Sequence, residues 1–196
     1  SAGIKPPKKI FAHGWWTFNK EKISKSKGKV INIEELVRIA GSDSARYFLF
    51  RHIPFGEDGD FSENALIERH NNELANKLGN LVSRVASLAE KYGTEKTENK
   101  LLKKLQLKKI ENQIENYQFD KALNEIFAFI DNCNQYVQDK KIWEMKDRKA
   151  LYELKESILK IAEMLWPFIP ESADKIKKQF STKNIKKGEI LFKKIG

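Results

Sequence analysis

The residues with the clearest chemical potential lie between Lys20 and Lys29. Lysines recur there at 20, 22, 25, 27 and 29, opposed only by Glu21, with Ser24, Ser26 and Gly28 between them. Serine hydroxyls, backbone N–H groups and ammonium groups all donate to phosphate oxygens, so a pliable loop of this make-up suits a polyphosphate. Lysine acts in such a site as a movable point charge, where arginine would be a fixed fork. The competing reading is a solvated basic loop or a localisation-type cluster, which charge alone would favour.

A second set of candidates lies on a long amphipathic stretch. Leu66, Ile67, Leu74, Leu78, Leu81, Val82, Val85, Leu88 and Ala89 recur at spacings of three and four, which predicts one helix from Glu63 to Tyr92, ended by Gly93. At about 100° per residue, Asn76, Asn80 and Arg84 step along the opposite side, with Asn72 just before them. Amides and a guanidinium can hydrogen-bond base edges, particularly bases splayed out of a loop. A solvated polar face is the bland alternative. Trp143 follows Lys140 and Lys141, and in that company it can stack a base, worth roughly 1–3 kcal/mol, or fill a core.

The elements that must position these residues are mostly helical. Lys9 to His13 reads as a short strand and Trp15 to Phe18 as a second extended piece. One or two short strands make no sheet alone, so residues 1 to about 30 read as the tail of a larger domain, completed by strands from elsewhere. Asn32 can cap a helix reaching Gly41, with Leu36, Val37 and Ile39 inward. Ser42 to His52 is a second helix with Ala45, Phe48 and Leu49 inward, and Pro54 to Ser62 is a loop. After the long helix, further helices are expected over Lys100–Asn116, Asp120–Asp139, Leu151–Trp166 and Glu171–Phe180, with Pro170 placed for the first turn of the last. Ser181 to Gly196 leaves a short helix and an ordered tail both open.

Composition bounds the function. The chain has 196 residues, 40% hydrophobic and 33% charged, enough for one or two modest globular domains. No apolar run approaches the roughly 18 residues of a membrane span, and nothing near Ser1 has the apolar centre of a signal peptide. The single Cys133 excludes an internal disulfide and a cysteine-based zinc knuckle, and it fits a reducing compartment. Cytoplasm is the expected location. The net charge of +10 favours a polyanionic partner. Much of the excess is local, because residues 175–196 hold eight lysines against Glu189 alone.

The order of these residues resembles the class I aminoacyl-tRNA synthetases, whose second signature is usually written KMSKS and stands here as KISKS. His13-Gly14-Trp15, the run Gly41 to Tyr47, Pro54 to Ser62, Arg69 to Arg84, Trp143, and Trp166 to Glu171 are together similar to the methionyl-tRNA synthetase family, in the same order. The resemblance implies that Lys22 and Lys25 stabilise charge on ATP phosphates, that Ser24 and Ser26 hold the loop or touch phosphate, and that His13 faces the nucleotide side. It implies anticodon contacts from Asn76, Asn80, Arg84 and Trp143 to CAU, with Arg46 near the tRNA backbone or, as the favoured reading, paired with a carboxylate that fixes the linkage. ATP with Mg2+ is the implied cofactor, no metal is bound by this chain, and tRNA(Met) is the implied partner. Ile23 for methionine, Lys20 before the motif, Lys29 after Gly28, and Ile142 before Trp143 depart from the family pattern.

The HIGH-like first signature, the methionine pocket and most of the Rossmann sheet have no counterpart in the sequence. The implied fold class is therefore mainly α: a C-terminal remnant of a Rossmann-type catalytic domain with one or two short strands, followed by an α-helical anticodon-binding bundle. The expected divisions are 1–31 for the catalytic end with the KISKS loop, 32–62 for linking helices, 63–180 for the bundle and 181–196 for a basic tail. An N-terminal catalytic half would have to complete the site, as a separate chain or as the rest of one polypeptide. A stand-alone tRNA-binding module, and a class I enzyme for another aliphatic amino acid, are the alternatives.

Overall fold

The computed structural model describes residues 3, 5–10, 12–18, 21–22, 33–54 and 56–196. The KISKS serines, Ile23 and Lys25, and the Asn32 cap, fall outside this set, and of Lys22 only the backbone is described. Strands β1 (Trp16–Phe18), β2 (Glu21–Lys22) and β3 (Gly59–Phe61) form a sheet in the order β2-β1-β3. β1 pairs antiparallel with β2, Thr17 opposite Lys22, and parallel with β3, Thr17 opposite Asp60. This corrects two expectations. The third strand comes from within the segment read as a loop, and residues 9, 10, 12 and 13 are not strand. Gly-Asp-Phe is a poor strand sequence by propensity; burial of Phe61 and the edge of β1 decide its conformation.

Helices α1 (Ile33–Ala40), α2 (Ser42–His52) and α3 (Glu63–Arg69) follow, α1 and α2 preceding β3. Leu36, Ala45, Phe48, Phe61 and Leu66 form a small core between them and the sheet, with Trp16 packed against it. Val37 and Leu49, expected inward, are 40% and 39% exposed. Gly14 makes the sheet possible, since a Cβ there would meet the Glu57 carbonyl oxygen at 2.1 Å. The same loop is tied by Trp15 N–H to Asp58 at 2.6 Å.

The remaining chain is a helical bundle. α3 runs on through a wide π-helical segment, His70–Gly79, into α4 (Asn80–Tyr92), closed by Gly93 at φ +73°. A 3-10 turn, Leu101–Lys104, precedes α5 (Leu107–Glu115), α6 (Phe119–Asp139), the short α7 (Ile142–Met145), α8 (Arg148–Leu165) and α9 (Pro170–Phe180). The single helix expected over Lys100–Asn116 is thus broken at Leu105 and Gln106. The cause is distant in sequence: buried Glu153 accepts from Lys100 N–H at 2.7 Å, and Asn99 Oδ1 accepts from Leu102 N–H, which pins the turn. Asp147 caps α8 by accepting from Lys149 and Ala150 N–H groups.

One apolar cluster unites the bundle, from Tyr47 through Leu74, Leu81, Ile126, Ile158 and Ile176 to Phe192. Cys133 lies inside it, and burial pushes its thiol up to about 12. Thiolate is the reactive form, so a maleimide should leave Cys133 unlabelled at pH 7 until denaturant is added. Rapid labelling of the native chain would contradict this packing. Among the described residues no helix is long and apolar enough to cross a membrane.

Candidate nucleic-acid interface

The interface is built on the helical run from Glu63 to Tyr92. Within His70–Gly79 the N–H groups bond five residues back, as Asn80 N–H does to the Ala75 carbonyl at its end. The wider turn brings residues four apart closer to one line than an α-turn would, which straightens a polar stripe. Leu74, Ala75, Leu78, Leu81, Val82, Val85, Ala86 and Ala89 are buried, while Asn72 and Asn80 are exposed and Asn76 and Arg84 partly so. None of these four polar side chains has a hydrogen bond or ion pair with a described residue. Some other asparagines of the bundle do: Asn71 bonds the Ile195 carbonyl, Asn99 that of Glu153 and Asn134 that of Lys77.

The stripe has two walls, where the sequence suggested the open back of a helix. On one side, Ser181 to Gly196 takes the ordered-tail alternative over the short helix: it is an extended strap. Lys187 N–H reaches Glu90 at 3.1 Å, Phe192 is buried near Gly79, and Asn71 exchanges two hydrogen bonds with Ile195 at 2.8 and 2.9 Å. His70 bridges Ser44 at 2.8 Å and the Lys193 carbonyl at 2.7 Å. Strap contacts thus fall at 71 and 79, and stripe residues follow at 72 and 80, about a quarter turn on. On the other side Lys77 pairs with Asp131 of α6 at 2.7 Å.

Trp143 stands at one end of this groove, 40% exposed. Its carbonyl accepts from Tyr92 Oη at 3.3 Å, and Tyr92 is about 12 Å along the axis from Arg84 at 1.5 Å per residue. Ile142, which stands where the family has proline, is fully buried and anchors the short helix. Lys141 and Lys146 bracket that helix at φ +42° and +51°. Left-handed backbone in non-glycine residues costs of order 1–3 kcal/mol and clusters at functional sites.

The linking helices are joined to the bundle by buried charge. Glu73, inside the π-helical segment, accepts from Arg51 at 3.1 and 3.2 Å, from Arg69 at 2.7 Å, and from the Tyr47 hydroxyl. Burial alone would raise its carboxyl; the Tyr47 hydrogen bond and the two arginine charges outweigh that and hold it below the usual carboxylate value. Sequence reading missed Glu73, although Tyr47/Arg51 and Arg69/Glu73 are both four-residue pairs that share a helix face. Asp43 caps α9, accepting from Ser172 N–H at 2.6 Å and Glu171 N–H at 3.4 Å. Arg46 donates to the Pro167 carbonyl at 2.8 Å and lies over the Phe50 ring, with no carboxylate partner among the described residues. It remains exposed.

His13 is exposed, and its Nδ1 is 2.8 Å from the Gly14 carbonyl. It precedes β1 and does not end a strand. That matches a histidine holding adjacent backbone. Of the residues expected to meet ATP phosphates, the β1–β2 hairpin places only the backbone of Lys22; Ser24, Lys25 and Ser26 lie outside the described residues.

Comparison with known proteins agrees with this architecture. The family model for class I tRNA synthetases (M) matches residues 1–86, and that for the anticodon-binding domain of tRNA ligases matches residues 98–194. The chain belongs to the class I methionyl-tRNA synthetase family. Methionine–tRNA ligase of Caldanaerobacter subterraneus is 36% identical over 98% of this chain, and that of Campylobacter jejuni 40% identical over 90%. The chain spans about a third of the length of these curated relatives, 36% and 31% respectively. Mycobacterium tuberculosis methionyl-tRNA synthetase in complex with methionyl-adenylate superposes with a TM-score of 0.82 at 31% identity, covering 90% of this chain and 39% of that one. Its apo form gives the same TM-score over 99% of this chain, at 25% identity and 45% of its own length. A Rossmann remnant followed by a helical bundle is therefore the fold of this chain.

Proposed function

We propose that this chain is the anticodon-reading and ATP-clamping portion of a methionine–tRNA ligase. The observation that carries the reading is the stripe of Asn72, Asn76, Asn80 and Arg84, whose hydrogen-bonding groups have no partner among the described residues. Asn80 and Arg84, assisted by Asn76, bond the edges of a splayed CAU anticodon, and Trp143 stacks on one of its bases. Arg46 has donors left over after the Pro167 bond, and these are available to the tRNA backbone.

At the other end, Lys22 and Lys25 stabilise the charge that builds on the phosphates as the methionine carboxylate attacks the α-phosphate of ATP and pyrophosphate leaves. Ser24 and Ser26 shape that loop. Mg2+, when bound with ATP, adds further charge neutralisation. The remaining parts, a HIGH-like signature and a methionine pocket, come from an N-terminal catalytic portion, on the same polypeptide or a separate chain, in the cytoplasm. With that portion present, Lys25→Ala should slow methionine-dependent ATP–pyrophosphate exchange by about ten- to a hundredfold, the loss of one charge-assisted contact. An unchanged exchange rate would remove the loop from the mechanism.

The direct test of the anticodon reading is binding to tRNA carrying CAU and to the same tRNA with another anticodon. Tighter binding of CAU is expected. Equal affinities would sink the methionine assignment and leave a general tRNA-binding module.

A further inference from the structure

The stripe accounts for recognition by placed residues, yet most of the basic excess lies elsewhere. Between α9 and the strap is a cleft of about 660 Å3, bordered by Lys175, Lys178, Lys186, Gln179 and Ile190, with Glu189 its one carboxylate. Its walls are fixed. Gln179 Nε2 donates to the Lys186 carbonyl at 2.8 Å, and Thr182 Oγ1 donates to the carbonyls of Gln179 and Asn184, each at 3.1 Å. At Gly188 a Cβ would stand 3.2 Å from Gln179 Nε2, so the Gln179 side chain packs closely against the strap there.

None of the eight lysines in residues 175–196 has an ion-pair partner among the described residues. On the bundle, by contrast, Lys77, Lys109 and Lys160 hold carboxylates at 2.7, 2.6 and 2.9 Å. At the cleft three lysines face the single carboxylate of Glu189, with no ion pair formed, so a net positive charge remains whose self-repulsion a bound polyanion relieves. Ile190, 66% exposed at the rim, adds apolar surface of the kind a sugar edge can cover. Alternating phosphate charge and less polar sugar is the make-up of a nucleic-acid backbone. An acidic peptide would match the lysines but gives no reason for the apolar rim.

We propose that this cleft binds a stretch of tRNA phosphodiester backbone outside the anticodon, as a second hold that is independent of sequence. The proposal rests on the reading of the chain as tRNA-binding. Strap residues 182–191 border the cleft, and Phe192, Lys193 and Ile195, next along the strap, lie against the π-helical segment beside the stripe.

The test is a combined Lys175→Gln, Lys178→Gln, Lys186→Gln variant of the 196-residue chain, titrated with CAU tRNA and an anticodon-swapped tRNA between 50 and 200 mM salt. Each lost phosphate contact takes about 0.7–0.9 off the slope of log affinity against log salt, so a decrease of about 2–3 is expected if all three lysines touch phosphate. Both tRNAs should weaken by the same factor, about tenfold or more at the low-salt end, with their ratio unchanged. Unchanged slope and affinity overturn the proposal, including the case in which the variant loses only an acidic protein partner. Loss of discrimination by the unmutated chain would instead defeat the anticodon reading, while the slope still reports on the cleft.

Discussion

Replacing Glu73 with glutamine should lower the stability of the chain by about 2–4 kcal/mol at pH 7, measured as a fall in the urea midpoint with little change in slope. Glu73 is 15% exposed and is the shared acceptor for Arg51, 13% exposed, and Arg69, 31% exposed. A buried ion pair contributes little relative to a well-packed apolar replacement, but removing one partner strands the other charges. Here two guanidinium groups lose their shared counter-charge, and one of the two accepting oxygens used by Tyr47, Arg51 and Arg69 becomes an amide donor. Because the Glu73 carboxyl titrates below its ordinary value, its contribution is complete above about pH 4.5 and is lost as pH falls through the lowered value. The unmutated chain should therefore show an acid-side loss that Glu73→Gln flattens. On the alkaline side, burial first and the Glu73 charge second raise the Tyr47 hydroxyl well above 10. That contribution is intact below pH 10 and lost as pH rises past it. A variant as stable as the parent at pH 7 would mean that the linking helices are held by apolar packing alone.

Legibility in the sequence followed the range of the forces involved. The periods of α6, α8 and α9 are local, and their ends sit within a few residues of the expected ones because Pro170 acts on its own turn and Asp147 on its neighbours. The polar stripe was legible for the same reason, since four residues at fixed spacing share a helix face in any context. What was missed depends on distant partners. Nothing local in Leu101–Gln106 announces a break, because the acceptor that pins it is Glu153. β3 needs β1, more than 40 residues earlier, before Gly-Asp-Phe becomes a strand. The strap is fixed by Asn71 and His70, whose partners are 124 and 123 residues away. The walls of the groove were therefore hidden, and the line of residues on its floor was not.

Arg84→Ala should reduce affinity for CAU tRNA by roughly ten- to a hundredfold, which is the 1–3 kcal/mol of one specific base contact, and leave the anticodon-swapped tRNA nearly unaffected. The fold should be untouched, because Arg84 bonds no described residue, so its loss strands no buried group. The informative comparison is Arg84→Lys. It keeps the charge but loses the planar fork, and a fork is what reads two acceptors of one base. If Arg84 reads bases, lysine should restore overall affinity in part and discrimination hardly at all. If it only neutralises phosphate, lysine should restore both, and alanine should weaken the two tRNAs equally. Uniform weakening is the signature expected from the α9–strap cleft. The pair of substitutions therefore places Arg84 in one class or the other by a ratio of affinities, independent of how tightly either tRNA binds.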